Sequence, residues 1–411
     1  MAFPGILFHD RNDGPDVTLR VLYLHPFAVY GGATKSLAEM FGALLGGEVV
    51  GTVVAPPGMA ANSFASVGLH TIAVRGLPQW DDTRFGHYRG ARWLILLREL
   101  SLLPEVVRAL QRVREAGPFD LIHCNEITAI LVGVIFKKAL GLPLVVHVRS
   151  LQRGREGSRI SARLMSLVRR FADAVIAIDE AVRRTLPPDL NVDVIHNGLK
   201  APAEVPRESH GLFTVAIIGV LHRSKGVFEL VEAARLLRDR GLGIRVLIVG
   251  ENIRPITGLK GWVLKTLDFA RDVEAELVAS IALLGLEDVV KLTGFVTDIG
   301  RVYRRVDAVC FPSHLDAPGR PVFEAALYGL PTIVAMKDPT SDVIIDGVTG
   351  LCIPEPTPVA IANAIETLAR DAAQTQEMGR SARAHALETF ESQRTAAKTL
   401  AVYRRVTGGR S

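Results

Sequence analysis

Short, continuously apolar runs rich in Val, Ile and Leu alternate along this chain with longer stretches whose apolar positions recur at about the 3.6-residue helical period. Leu19 to His25 (LRVLYLH) predicts a strand, and Lys35 to Leu45 a helix. Glu48 to Val54, Thr71 to Val74, Leu121 to Cys124, Leu144 to Val148, Ala174 to Ile178 and Val192 to Ile195 predict further strands. Helices are expected between them over Pro104 to Glu115, Ile127 to Leu140, Arg159 to Phe171 and Asp179 to Leu186. Strands that are apolar at every position suit parallel pairing with both faces covered.

The alternation breaks at Lys200 to Gly211 (KAPAEVPRESHG), where two Pro and several charges replace any periodicity. A second series follows. Its strands are expected over Phe213 to Gly219, Ile244 to Val249, Val289 to Thr293, Ala308 to Phe311, Thr332 to Ala335 and Gly350 to Ile353. Its helices are expected over Gly226 to Asp239, Glu274 to Leu284, Ile299 to Val306, Pro321 to Tyr328, Thr357 to Ala369 and Ser381 to Thr389. Two such series predict an α/β protein of two Rossmann-like doubly wound domains facing a central cleft. The expected divisions are 1–204, 205–390 and a closing helix in 391–411 that packs back toward the first domain. In doubly wound sheets ligands sit beyond the carboxyl ends of the strands, so candidate chemistry is sought there.

Composition narrows the class. With 411 residues, 48% hydrophobic and 22% charged, the chain buries full cores without metal or disulfide staples. Cys124, Cys310 and Cys352 lie far apart with no CxxC spacing. They read as buried free thiols in a reducing cytosol, and no metal site is expected. The N-terminal Met1 to Asp16 lacks the pattern of a signal peptide, and the longest clean apolar run, Ile127 to Phe136, is half a membrane span. The net charge of +5 is too small to argue for nucleic acid, and stacking aromatics are not interleaved with the basic clusters. Seven Arg fall between Arg84 and Arg114, among Trp93 to Leu97, Leu100, Leu102 and Leu103. That mixture suits either an anionic membrane surface or a helix packed on its domain with a solvated Arg face.

Three stretches carry candidate chemistry. Gly31-Gly32 precedes the first helix and is either an anion-binding helix start or an ordinary strand-to-helix turn. Gly219 to Gly226 (GVLHRSKG) follows a strand and places Arg223 and Lys225 beside a helix start, as a diphosphate clamp or as a solvated loop. In Phe311 to Ala325 (FPSHLDAPGRPVFEA), Asp316 is expected in a loop and Glu324 in the helix that Pro321 opens. The Pro318-Gly319 turn prevents one continuous helix from carrying both carboxylates.

The order of these motifs resembles the retaining family-four glycosyltransferases of GT-B fold, from about Leu19 to Arg405. The stretch from Asp316 to Glu324, followed by Tyr328-Gly-Leu-Pro-Thr332 and Asp346-Gly-Val-Thr-Gly350, is its most specific part. The resemblance implies a metal-independent enzyme with no cofactor, moving a sugar from a nucleotide-diphospho-sugar (UDP or GDP) to a hydroxyl of a glycan or lipid-linked acceptor. It implies a cytoplasmic protein, peripheral on the inner face of the membrane where the acceptor is lipid-linked. It implies catalytic roles for His147, Lys225, Asp316 and Glu324. Glu324 would hold the ribose, Arg223 and Lys225 the diphosphate, and Gly294-Phe295-Val296 the base. Asp316 with Gly319, Arg320, Pro321 and Val322 would hold the sugar and β-phosphate, and Gly31 and Gly32 would lie beside the donor. Asn197-Gly198 reads as a turn. Departures from the family pattern are Val220 where Arg is usual, Asp316 for Glu, Pro318 for an aromatic, Asp338 to Asp342 for a Gly-rich turn, and extra chain at Asn252 to Asp272. A nucleotide-sugar epimerase and a non-catalytic sugar-nucleotide-binding protein are the alternative readings.

Overall fold

A computed structural model describes residues 18–44, 47–81, 83–84, 94–153, 159–202, 211–252, 272–315 and 317–408. The chain divides into two compact units. One comprises Met1–Ile178, Val182–Asn197 and Thr395–Ser411, the other Asp179–Ala181 and Gly198–Arg394. The chain thus leaves the first unit at Asn197, ahead of the expected division at 204/205.

The first unit holds β1 (Leu19–Leu24), β2 (Val49–Ala55), β3 (His70–Ala73), β4 (Leu121–Cys124), β5 (Leu144–Val148), β6 (Ala174–Ala177) and β7 (Val192–Val194). They form one sheet in the order β3-β2-β1-β4-β5-β6-β7, every pair parallel. β4, β5 and β6 are buried at every position, which is why they read as unbroken apolar runs. Parallel neighbours need crossover connections. These include α1 (Gly32–Ala43), α2 (Met59–Ser66), α3 (Leu94–Ser101), α4 (Leu103–Glu115), α5 (Ile130–Leu140) and α6 (Arg159–Phe171). The C-terminal helix Ser392–Thr407 sends Ala396, Leu400, Val402 and Tyr403 into the same core as Tyr23, Phe41 and Phe64.

The second unit holds β8 (Phe213–Ile218), β9 (Ile244–Val249), β10 (Val290–Gly294), β11 (Ala308–Phe311), β12 (Thr332–Ala335) and β13 (Gly350–Ile353). Their order is β10-β9-β8-β11-β12-β13, again all parallel. In both sheets the strand order reverses beside the first strand of the unit, the place where such sheets open a ligand crevice.

Local differences from the sequence pattern have local causes. The helix expected from Ile127 begins as a 3-10 turn over Ile127–Ala129, because the Glu126 carboxylate accepts from the Ile127 N–H at 2.9 Å. The helix expected over Ser381 to Thr389 spans Ala372–Phe390, with Asp371 capping the Gln374 N–H at 2.9 Å. Its first turns present few large apolar residues, so their period is weak. Cys124 and Cys310 are buried, whereas Cys352 is half-buried and donates its thiol to the Met336 carbonyl. The extra chain at Asn252 to Asp272 lies outside the described residues except at its ends, which meet: Asn252 Nδ2 donates to Asp272 Oδ1 at 3.0 Å. Asp272 caps the following helix Val273–Leu283. The stretch 203–210 of the expected linker and residues 1–17 also lie outside the described residues.

Candidate functional site

In the second unit three glycines stand at the carboxyl ends of adjacent strands. Gly219 (φ +141°) follows β8, Gly250 (φ +143°) follows β9, and Gly294 (φ +67°) ends β10. A Cβ on Gly250 would lie 1.8 Å from the Gly219 carbonyl oxygen, and the Gly250 N–H donates to the Gly294 carbonyl at 3.0 Å. Only glycine fits that stack, and it leaves bare backbone at the sheet edge. Val220 and Phe295 stand exposed beside it, with Val296 half-buried against the neighbouring core cluster.

The loop after Gly219 tightens into a 3-10 turn over Arg223–Lys225, capped by His222, whose Nδ1 accepts from the Ser224 N–H at 3.1 Å. Gly226 (φ +74°) then opens the helix Val227–Asp239, and a Cβ there would sit 2.0 Å from the Pro312 carbonyl. The loop after β11 is tied to this turn: the His314 N–H donates to the Ser224 carbonyl at 2.9 Å and Ser313 Oγ to the same oxygen at 3.3 Å. The two motifs that the sequence separates by some ninety residues are thus one structure. Lys225 lies over the Phe311 ring, 5.0 Å from its centre, and lines a pocket with Gly219, Val220, Leu221 and Phe311. Burial pushes its amine pKa down. Arg223 turns to Glu276, with an N–O distance of 2.5 Å, and stacks over Phe228.

The helix Arg320–Leu327 starts at Gly319, with Pro321 in its first turn and no side chain capping its end. Gly319 is required by closeness, since a Cβ would come within 2.2 Å of the Phe311 ring. Val322 is buried below. Both oxygens of Glu324 are engaged: Arg320 Nε donates to Oε1 at 2.6 Å and the Tyr303 hydroxyl to Oε2 at 2.9 Å. Tyr303 in turn stacks on Tyr328 at 4.8 Å. Asp316 lies outside the described residues. The second unit therefore brings together Lys225, Gly319, Arg320 and Glu324 around Phe311 and its neighbours, with Arg223 directed to Glu276.

In the first unit Gly31 and Gly32 open α1 with nothing within 4 Å of where a Cβ would stand. His147 is 3% exposed, and its Nε2 has no hydrogen-bond partner among the described residues. It belongs to a cluster that sequence reasoning missed. His25, Asn125, Arg149 and Asn197 each lie just beyond the carboxyl end of a strand (β1, β4, β5 and β7). Asn125 Nδ2 meets His25 Nδ1 at 2.9 Å. Arg149 donates from Nε to the Asn125 carbonyl at 3.0 Å, from NH2 to Asn125 Oδ1 at 2.8 Å, and from NH1 to Asn197 Oδ1. Its NH2 also donates to His147 Nδ1 at 3.2 Å. Below lie His123 and Tyr403. Burial and the Arg149 charge hold His25 and His123 down at about 3 and push His147 well below its ordinary value. Glu126 is buried beside Arg149 and Ser150, and burial lifts its carboxyl to about 7 despite the hydrogen bonds it accepts. The signal in the sequence was polar residues at the ends of wholly apolar strands, in HCNE and HVRS.

Residues 31–198 match the Glycosyl transferase 4-like domain family, and residues 203–385 match Glycosyl transferases group 1. The D-inositol 3-phosphate glycosyltransferase of Arthrobacter sp. (strain FB24) is 28% identical over 332 residues, covering 74% of this chain and 75% of that protein. The glycogen synthase of Mycobacterium tuberculosis is 24% identical over 94% of both chains. The crystal structure of Anabaena HepE in complex with UDP superposes with a TM-score of 0.73 at 23% identity, covering 93% of this chain and 100% of that one. A sucrose-phosphate synthase from Thermosynechococcus elongatus gives 0.70 at 16% identity, covering 95% of this chain and 100% of that one. Two parallel doubly wound units, each matched by one half of the same enzyme type, make this chain a GT-B-fold glycosyltransferase of the group 1, family-four-like class.

Proposed function

We propose that this glycosyltransferase is retaining and metal-independent, and that it moves a sugar from a UDP- or GDP-sugar to a hydroxyl of a glycan or lipid-linked acceptor. The observation that carries the reading is the convergence of Lys225 with the uncapped helix start at Gly319–Arg320, joined through the hydrogen bonds of Ser224 to the Ser313–His314 loop. A diphosphate leaving group gains charge as the anomeric C–O bond breaks. A partly desolvated ammonium and the positive dipole end of the helix stabilise that charge without reorganising. The glycine edge at Gly219, Gly250 and Gly294 offers backbone and the exposed Phe295 ring to a base, and the held carboxylate of Glu324 offers acceptors to ribose hydroxyls. The solved complexes of HepE with UDP and UDP-glucose support a nucleotide-sugar donor. In this reading the acceptor oxygen attacks on the face the phosphate leaves, and its proton passes to the departing phosphate oxygen. The test is turnover of UDP-, GDP- and ADP-sugars with the product anomer read by NMR. A product of inverted configuration overturns retention, and loss of no activity on chelation is the expected result for the metal.

A lipid-linked acceptor is favoured by one surface. Leu97, Leu100, Leu103 and Val107 stand exposed on α3 and α4 beside the exposed Arg98, Arg108 and Arg112. Apolar side chains set among cations suit the headgroup layer of an anionic bilayer. We take this contact to be peripheral, at the cytoplasmic face; among the described residues no helix is long and apolar enough to cross a membrane.

A further inference from the structure

The loop after β11 is pinned to the Ser224–Lys225 turn by its backbone. The Pro312 carbonyl lies so close to Gly226 that only glycine fits there. Ser313 Oγ and the His314 N–H both donate to the Ser224 carbonyl, at 3.3 and 2.9 Å. His314 adds a side-chain bond farther along: its Nε2 lies 2.9 Å from Oε1 of Glu229, in the first turn of the helix Val227–Asp239. A carboxylate accepts, so the ring carries its proton at Nε2. Lys225 thus stands among Ser224, Gly226 and Glu229, all three held by the same loop. Glu229 is out of keeping with its surroundings. Its Oε2 is buried with no hydrogen-bond partner among the described residues, and the His314 bond alone offsets the loss of water. A negative charge in the first turn suits the helix dipole, yet it opposes a diphosphate drawn to the same end. A residue that breaks local rules in this way is expected where it serves function.

We propose that Glu229 is a positioning residue for donor binding. Acting through His314, it holds the Pro312–Leu315 loop against the Ser224–Lys225 turn, and so fixes Lys225 and the helix start at Gly319 as one receptor for the diphosphate. The proposal rests on the nucleotide-sugar reading above for its ligand and on the Glu229–His314 strut for its mechanism. The two hydrogen bonds to Ser224 meet at one oxygen and the Pro312 contact has no direction, so neither sets the tilt of the loop. The Glu229 bond supplies the second fixed point, and two points define an orientation. The far end of the loop leads into Gly319, which packs on Phe311, the ring under the Lys225 ammonium. Tilt lost at His314 therefore reaches both groups that would meet the diphosphate. The glycine edge at Gly219, Gly250 and Gly294 stands on β8, β9 and β10 and does not depend on this loop.

The experiment compares nucleotide with nucleoside on the full chain. Titration calorimetry measures UDP or GDP, and ligand-observed NMR the matching nucleoside. Glu229→Ala is expected to weaken the nucleotide about 5- to 10-fold, the scale of one lost hydrogen bond, and to leave nucleoside binding within about twofold. Glu229→Gln keeps an acceptor for His314 and removes the charge that opposes the diphosphate, so it should bind the nucleotide at least as tightly as the wild type. His314→Ala should match Glu229→Ala, and the double variant should match either, because the two act through one bond. Equal losses for nucleotide and nucleoside would make Glu229 a general support of the fold and overturn the proposal. So would a Glu229→Ala variant that binds the nucleotide as well as the wild type. Amide exchange needs no ligand: the His314 N–H should exchange faster in Glu229→Ala than in the wild type or Glu229→Gln, and unchanged protection overturns the strut. Should Glu229→Ala fail to fold, His314→Ala carries the same comparisons, the amide at that position included. A wild-type protein that binds neither UDP nor GDP would defeat the nucleotide-sugar reading, and the amide exchange would then decide the strut.

Discussion

The ammonium of Lys225 rests 5.0 Å from the centre of the Phe311 ring, and burial depresses its pKa. A partly desolvated lysine is costly to the fold, so it stands here at the expense of stability. Lys225→Met should therefore melt at the same temperature as the wild-type protein or higher, while donor turnover falls about 100- to 1,000-fold as one preorganised donor to the diphosphate is lost. Calorimetry and steady-state kinetics on the same preparations check both signs. A variant that is less stable and fully active would remove Lys225 from the site.

Glu324 is held from two sides, by Arg320 and Tyr303. Glu324→Ala removes the acceptor expected to meet the ribose, so titration calorimetry should show UDP or GDP binding weakened at least about 10-fold, the scale of one lost charge-assisted hydrogen bond. Tyr303→Phe keeps the carboxylate and the Arg320 contact, and should weaken binding by a smaller factor. Equal effects of the two variants would mean that Glu324 is structural.

Two glycines at helix starts make opposite predictions. Gly226 has φ +74°, and a Cβ would sit 2.0 Å from a backbone oxygen that cannot move aside without breaking the Ser224–His314 tie. Gly226→Ala should destabilise the second unit by about 3 kcal/mol or more, combining strain and overlap. Gly31 has φ −129° and open space around it. Gly31→Ala should leave the denaturation midpoint of the first unit unchanged, and any loss of ligand affinity it causes reports an occupant of that space.

Much of the architecture is legible in the sequence because a parallel strand covered on both faces must be apolar at every position, as β4, β5 and β6 are. The glycine and lysine motifs of the second unit are legible for a related reason: a positive φ or a close backbone approach leaves no choice of residue at Gly226 or Gly250. The site in the first unit was not legible. In sequence His25 reads as the end of a strand, and Asn125, Arg149 and Asn197 as the solvated starts of separate loops; only the sheet order brings the four into contact. Tyr403 gives no hint of its partner His123, which is 280 residues distant. Arg223 was legible as a cation near a helix start, but its pairing with Glu276 depends on a helix packed alongside.

The exposed leucines of α3 and α4 predict salt-sensitive membrane attachment. Vesicles containing about one-third anionic lipid should co-sediment the wild-type protein at low salt and release much of it at high salt, since charge attraction falls with the Debye length. Replacing Leu97, Leu100 and Val107 by Ser should abolish sedimentation without lowering thermal stability, because these side chains are already exposed. A wild-type protein that stays in the supernatant at low salt would rule the surface out.

Acid should weaken the first unit in a way its buried groups determine. His25 and His123 titrate at about 3 in the folded protein and His147 well below its ordinary value, against 6.5 when exposed. A depressed pKa gives stability that is present above 6.5 and lost as the pH falls. Glu126 works in the other direction. Its carboxyl is raised from 4.5 to about 7, so its contribution is complete below 4.5 and disappears as the pH rises through 7. Near pH 5.5 the unfolded chain therefore binds three more protons on the histidines and one fewer on Glu126. The difference of two corresponds to a loss of roughly 3 kcal/mol per pH unit on acidification. Glu126→Gln removes the opposing proton and should steepen the loss toward about 4 kcal/mol per unit. Hydrogen exchange of the β1 and β4 amides between pH 4.5 and 6.5 follows the first unit alone, and a slope left unchanged by Glu126→Gln would show that this carboxyl is ionised in the folded protein throughout that range.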